Sequence, residues 1–318
     1  MSEHSKLLFI VGVPRSGTTL LRELLAAHSK ITMPRVEFQL LPYLMRKYPK
    51  GHIFLEKDVD PLKRIIRNSP FYFYLRHEVS LSQFSPEGCS FESMVKTLLA
   101  HYSPQDEIVG AEWLGEKTPN NLFSVEEIID RFPCSKFVHI VRDPRDVALS
   151  MHKAFGKSLI SSAVAWERGI KCAIGFKSKW PDRIIEVKYE DLTKNPEAEL
   201  RKISEFLGLD FEVSMCELRE AREKIGDAAG YSKIKRANTD KYMSRMLEKD
   251  RIWFASYLKE LLKLYRYPSN NAVERVEINP CKLQIQKYID FLRSFSRHIK
   301  EKGVVAGVCY RARQARYK

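Results

Sequence analysis

Five consecutive apolar residues, Leu7-Leu8-Phe9-Ile10-Val11, run into Gly12-Val13-Pro14-Arg15-Ser16-Gly17-Thr18-Thr19 and then into Leu20-Leu21-Arg22-Glu23-Leu24-Leu25. An unbroken apolar run of this length suits a parallel strand covered on both faces. Such a strand needs helices on each side of the sheet it joins, which narrows the chain to an α/β architecture. Gly12 and Gly17 permit the tight turn that follows and let backbone amides point inward. A helix beginning near Thr18 adds the positive end of its dipole and several unpaired amide donors. The turn is therefore suited to hold a phosphate-type anion without any metal.

With 318 residues, 44% of them hydrophobic, the chain has ample material for one large core. Apolar runs alternate with helix-compatible stretches and predict strands at 7–11, 108–114, 136–141 and 183–187. The expected fold is a P-loop-like three-layer α/β sandwich with a mainly parallel central sheet flanked by helices. The segment 53–102 interrupts the alternation and is rich in aromatics, among them Phe71, Tyr72, Phe73, Tyr74 and Phe84. Insertions of this kind shape an acceptor pocket in such folds, whereas each single aromatic is adequately explained by core packing.

The loop departs from the ATP-binding pattern, in which a lysine follows the second glycine. Thr18 stands in that place, and the cation is Arg15, inside the loop. A second signature is Lys136-Phe137-Val138-His139-Ile140-Val141-Arg142-Asp143-Pro144-Arg145-Asp146-Val147-Ala148-Leu149-Ser150, a buried strand breaking into a helix that Asp143 caps and Pro144 starts. An apolar run ending near Asp143 imitates the magnesium-holding aspartate of P-loop kinases. Without a loop lysine, and with Arg142 directly before it, Asp143 reads better as a helix cap.

The string Pro14-Arg15-Ser16-Gly17-Thr18-Thr19 resembles the 5'-phosphosulfate loop of sulfotransferases that use 3'-phosphoadenosine 5'-phosphosulfate (PAPS), most closely the protein-tyrosine sulfotransferase branch. Arg142, with Ser150 eight residues later, matches the 3'-phosphate motif of that family. The resemblance implies that Arg15, Ser16, Gly17, Thr18 and Thr19 hold the phosphosulfate, and that Arg142 and Ser150 hold the 3'-phosphate. It further implies Glu37 as the base, with His28 and His52 as weaker alternatives, and Lys117 as donor to the leaving oxygen. Ser244 matches a serine that also touches the donor, and Tyr189, in Val187-Lys188-Tyr189-Glu190-Asp191-Leu192, a tyrosine beside the adenine. Lys233, Lys235 and Arg236 are further candidates for phosphate contact. The co-substrate implied is PAPS, with no metal. The acceptor is hydroxyl-bearing: a peptide tyrosine, a sugar, a lipid or a small phenol.

The formal net charge of +14 favours anionic ligands or surfaces, and an anionic donor accounts for it as well as a solvated basic exterior does. Two rival readings stand beside the sulfotransferase. One is a P-loop kinase acting on a small molecule. The other is a basic membrane or nucleic-acid binding protein with a vestigial nucleotide fold; nucleic acid is not the expected partner. Residues 1–268 are read as the PAPS-binding domain and 269–318 as a basic helical extension. Its stripe of Ile285, Tyr288, Ile289, Leu292, Phe295 and Ile299 is expected to dock on the domain, as amphipathic stripes usually do. The alternative is peripheral contact with an anionic membrane, aided by Arg311, Arg313, Arg316 and Lys318. Six scattered cysteines with no paired spacing point to a reducing compartment. The N-terminal apolar run is too short for a signal peptide, and the expected location is cytoplasmic, with membrane-peripheral contact open.

Overall fold

The computed structural model describes residues 5–69, 71–72, 80–82, 84–104, 110–218, 234, 238–269 and 274–302. In chain order the elements are β1 (Lys6–Gly12), α1 (Thr18–Leu25), β2 (Ile31–Thr32), α2 (Leu41–Lys47), α3 (Glu56–Arg67), α4 (Phe91–His101), β3 (Trp113–Lys117), α5 (Val125–Arg131) and β4 (Lys136–Val141). There follow α6 (Pro144–Phe155), α7 (Leu159–Lys179), β5 (Ile184–Lys188), α8 (Tyr189–Lys194), α9 (Pro196–Leu207), α10 (Tyr242–Arg245), α11 (Glu248–Tyr257), α12 (Lys259–Leu264) and α13 (Pro280–Lys302).

The five strands form one parallel sheet in the order β2-β3-β1-β4-β5. Its first strand explains the layering. Leu7, Phe9 and Val11 enter a core shared with α2, α3 and α4, while Leu8 and Ile10 enter a second core shared with α1 and α9. A two-residue side-chain period thus gives each face of the sheet its own helical layer. Full burial of each large side chain contributes about 2 kcal/mol. A third cluster joins α6, α7, α11 and α12 around the fully buried Trp166.

The strand expected at 108–114 lies later, at Trp113–Lys117, and residues 105–109 fall outside the described set. All five of its residues are buried, Glu116 and Lys117 included, so two charged residues that look like a strand's end belong to the strand itself. Strand β2 was not anticipated, because two residues carry no readable period. In the aromatic segment, Phe71 and Phe84 are core residues, with Phe71 edge-on to both Phe38 and Tyr102. Phe73 and Tyr74 lie outside the described residues.

Two glycines allow the turn after β1. A Cβ on Gly12 would stand 2.6 Å from the Ile140 carbonyl oxygen, so only glycine permits this approach of β1 to β4. Gly17 has φ +105°, and a Cβ there would meet the Tyr189 ring at 2.3 Å. Gly17→Ala should therefore cost both backbone strain and a displaced tyrosine, about 3 kcal/mol together. Gly51, at φ +79° with no atom within 4 Å of its Cβ position, isolates the backbone part. Urea unfolding should show Gly51→Ala losing about 1 kcal/mol, and Gly17→Ala clearly more.

Candidate functional site

The loop after β1 closes on a hydrogen bond from the Ser16 amide to the Val13 carbonyl (3.1 Å). Arg15 has a left-handed backbone, φ 76°, costly for a side chain this size and the sort of strain retained at binding loops. The Ser16 hydroxyl is buried and has no hydrogen-bond partner among the described residues. Helix α1 starts at Thr18 with no side-chain cap, so its first amides remain available to an anion.

Next to this loop, at the end of β4, Arg142 is 5% exposed. Its guanidinium donates to the Asn238 carbonyl (2.5 Å), to Asp146 (3.4 Å) and to the Arg15 carbonyl (3.4 Å), and lies 4.3 Å from the centre of the Tyr189 ring. Its Nε is buried and has no hydrogen-bond partner among the described residues. Tyr189, itself buried, receives a hydrogen bond from the Asn238 amide at its hydroxyl (2.5 Å) and packs against Gly17. One tyrosine thus braces both the loop and the arginine. Ser150, two turns into α6, accepts from Arg15 Nε at 3.2 Å. The cation expected at the 5' end therefore touches the serine expected at the 3' end. The unsatisfied Ser16 hydroxyl and Arg142 Nε are both donors, which suits a ligand bearing anionic oxygens at both places.

On the other side of β1, Lys117 ends β3 opposite Ile10 and is 5% exposed. It donates to Glu37 Oε1 at 2.6 Å, and the Gln39 amide donates to Glu37 Oε2 at 2.7 Å. Burial pushes the Glu37 carboxyl up, but the charge and hydrogen bond of Lys117, helped by Gln39 and Arg22, outweigh it and hold the group below its ordinary range. A carboxylate and an ammonium are thus positioned together at the strand-end edge that carries the loop after β1.

Other expected residues sit elsewhere. Ser244 is exposed, and its hydroxyl donates to the Lys241 carbonyl of its own turn (3.4 Å); nearby Tyr242 is the residue that meets the site's frame, its backbone N–H donating a hydrogen bond to Asp146 (3.0 Å). His28 is buried, with one ring nitrogen against the Asp210 carbonyl (2.8 Å) and the other accepting from the Lys30 amide (2.9 Å), which consumes it structurally. His52 packs among Tyr48, Phe54 and Asp58. Asp143 caps α6 by accepting from the Arg145 amide and holds the Arg145 guanidinium in a two-point pair (2.9 and 2.6 Å), as a cap rather than a metal ligand would. Lys233, Lys235 and Arg236 lie outside the described residues.

A family model described as the sulfotransferase family matches residues 8–213, which takes in the loop, Glu37, Lys117, Arg142, Ser150 and Tyr189. The chain belongs to the sulfotransferase family. It is 27% identical over 270 residues to the omega-hydroxy-beta-dihydromenaquinone-9 sulfotransferase Stf3 of Mycobacterium tuberculosis, covering 70% of this chain and 68% of that protein. It is 25% identical over 236 residues to protein-tyrosine sulfotransferase 1 of Danio rerio, covering 71% of this chain and 59% of that one. The sulfotransferase domain of the Synechococcus PCC 7002 olefin synthase shares the fold, with TM-score 0.59 at 21% identity over 84% of this chain and 98% of that domain. No described helix is long and apolar enough to cross a membrane.

In this sulfotransferase fold, sequence reasoning missed the residues that hold the site rather than line it. Glu116, 1% exposed, accepts from the Phe38 amide (3.2 Å), the Asn121 side chain (2.6 Å) and the Thr118 hydroxyl, and Thr118 accepts from the Gln39 amide (3.1 Å). Both of these backbone amides directly follow Glu37 in the chain, so Glu116, together with Thr118, fixes the segment that carries it. Adjacency to Lys117 was the available signal, but a buried strand carboxylate is not readable from composition. Asp146 had a signal, the i,i+4 spacing from Arg142; Asn238 had none.

Burial, with some repulsion from Glu37, raises the Glu116 carboxyl to about 7 from an ordinary 4.5. The neutral form is the one favoured by folding. Its stabilising contribution is full below pH 4.5 and is lost as pH rises through 7. Glu116→Gln should remove that slope, because an amide does not ionise and Asn121, whose Oδ1 has no partner, can rotate to accept from it. Measured by chemical denaturation at pH 5 and pH 8, the gap between variant and wild type should shift in the variant's favour by about 3 kcal/mol.

Proposed function

We propose that this chain moves a sulfuryl group from PAPS to a hydroxyl acceptor by in-line displacement. One observation carries the reading: two buried cations, Lys117 and Arg142, stand at the ends of the strands flanking β1, on either side of a phosphate loop that lacks its own lysine. Arg142 and Ser150 take the 3'-phosphate. Arg15 and the groups of Ser16, Gly17, Thr18 and Thr19 take the phosphosulfate, with Arg15 spanning toward Ser150. Tyr189 serves the nucleotide by carrying Arg142 on its ring.

Glu37 accepts the acceptor's proton as its oxygen attacks sulfur. The bond from sulfur to the bridging phosphate oxygen breaks, and Lys117 donates to that departing oxygen, leaving 3'-phosphoadenosine 5'-phosphate (PAP). A phosphosulfate oxygen competes with Glu37 for Lys117. As Lys117 turns to it, the Glu37 carboxyl rises toward its ordinary range and becomes a stronger base. The named acceptor of the mycobacterial relative is a hydroxylated menaquinone and that of the Danio rerio relative is protein tyrosine. Both present the O–H that a carboxylate base serves. The free thiols of Cys89, Cys134, Cys172, Cys216 and Cys281 support a reducing, cytoplasmic location.

Arg142→Ala should weaken PAP binding by about 100-fold, since it removes charge-assisted hydrogen bonds worth about 3 kcal/mol. Calorimetric titration giving an unchanged Kd would rule out the 3'-phosphate assignment. Glu37→Gln should lower turnover of labelled PAPS by about 100-fold with PAP affinity retained; full activity would remove Glu37 as the base. In Lys117→Ala, burial acts on Glu37 without its main counter-charge. The acid limb of the residual activity should then move to higher pH, with kcat down about 100-fold.

A further inference from the structure

Helix α13 is amphipathic, and it meets the rest of the chain with its polar face. Gln286, Asp290, Arg293 and Arg297 recur at the i, i+4, i+7 and i+11 spacing of a single helical face. Asp290 accepts from the Ser158 amide (3.0 Å) and hydroxyl (3.1 Å) at the start of α7, with Gln286 supporting the same carboxylate (3.2 Å). Arg297 donates to the Lys153 and Ala154 carbonyls at the end of α6. Gly156 lies under this contact: a Cβ on it would be 3.3 Å from Arg297 Nη2 and 3.6 Å from Arg293 Cβ. From sequence the apolar stripe is expected to make such a contact; the hydrogen bonds between the described residues here are made by polar side chains.

Three members of that stripe, Ile285, Tyr288 and Leu292, point outward, while Ile289 and Phe295 are half-buried. Among the described residues Ile285 is 63%, Tyr288 64% and Leu292 46% exposed, and the stacked ring of Phe291 is 52% exposed. Burying such a face in water-excluding surroundings is favourable, and leaving it in water is not. The charges select what covers it. Lys282 and Lys287, both exposed, stand on opposite flanks of the stripe, where their stems can lie along apolar surface and their ammonium groups can reach outward. Between Cys281 and Lys318 the only acidic residues in the sequence are Asp290, used against Ser158, and Glu301. An apolar face with cationic edges and no acid on it fits the headgroup boundary of an anionic bilayer. A second copy of the chain would have to bring the same cationic edges against themselves.

We propose that the outward face of α13 seats this protein on anionic membrane surface, with Ile285, Tyr288 and Leu292 entering the headgroup region and Lys282 and Lys287 pairing with lipid phosphates. This goes beyond sulfuryl transfer and does not depend on it. The test uses the full chain and vesicles of phosphatidylcholine, with and without 30% phosphatidylglycerol (roughly the anionic fraction that gives a useful surface potential). Co-sedimentation should be strong with the anionic vesicles and weak with the neutral ones. The double variant Ile285→Glu/Leu292→Glu should lose at least about 10-fold of the partitioning, while keeping wild-type PAP affinity and far-ultraviolet circular dichroism. Because that variant retains every basic residue beyond Lys302, undiminished binding by it would overturn the proposal and assign the attraction to those residues. A dimer in sedimentation equilibrium that the double variant dissociates, without vesicle binding by the wild type, would overturn it in favour of a second copy.

Discussion

The site depends on the parallel pairing of β1 with β3 on one side and β4 on the other. Parallel strands end together, so the turn after β1, Lys117 after four paired residues of β3, and Arg142 after β4 emerge along one edge. Ile10 registers with Lys117 and Gly12 with Ile140, which fixes their relative heights. The approach of β1 to β4 in turn requires Gly12, whose missing Cβ leaves room for the Ile140 carbonyl. No local sequence preference could bring β1 to one edge with two segments that lie more than a hundred residues further along the chain. Burial of alternating β1 side chains in two helical layers holds them there.

Holding cations in such a place is expensive, and the structure meets the cost with fixed dipoles and carboxylates. Lys117 is matched by Glu37, and Arg142 by Asp146, the Asn238 and Arg15 carbonyls, and the face of Tyr189. Each pairing is incomplete in a useful way. Among the described residues Arg142 Nε and the Ser16 hydroxyl have no hydrogen-bond partner, so an anion placed there would gain interactions that these residues do not already make. The Glu37 and Lys117 pair holds a carboxylate and an ammonium against one another, so an anion that drew Lys117 away would leave Glu37 a stronger base.

The parts legible in the sequence were those whose chemistry is local. The run 7–11, the two loop glycines, the proline-started helix after Asp143 and the eight-residue step from Arg142 to Ser150 each encode their own geometry, and they yielded the layer architecture and the family. Less legible were the groups that act through neighbours in space. Glu116 is a charged residue inside a strand, Asn238 lies far along the chain, and Ser244, assigned by a loose motif, proves to be an exposed helical serine.

The sequence by itself determined the glycine-bounded turn after β1, the parallel α/β layering and the amphipathic character of residues 280–302, because each follows from side-chain periodicity and backbone preference over a few turns. Only the tertiary structure decided that Arg15 reaches Ser150, that Glu116 governs the segment bearing Glu37, and that α13 docks with its polar face and leaves Ile285, Tyr288 and Leu292 outward. Those outcomes turn on which surfaces meet. Amphipathicity states that a helix has two faces; Asp290 finding Ser158, and Arg297 the last carbonyls of α6, chose between them.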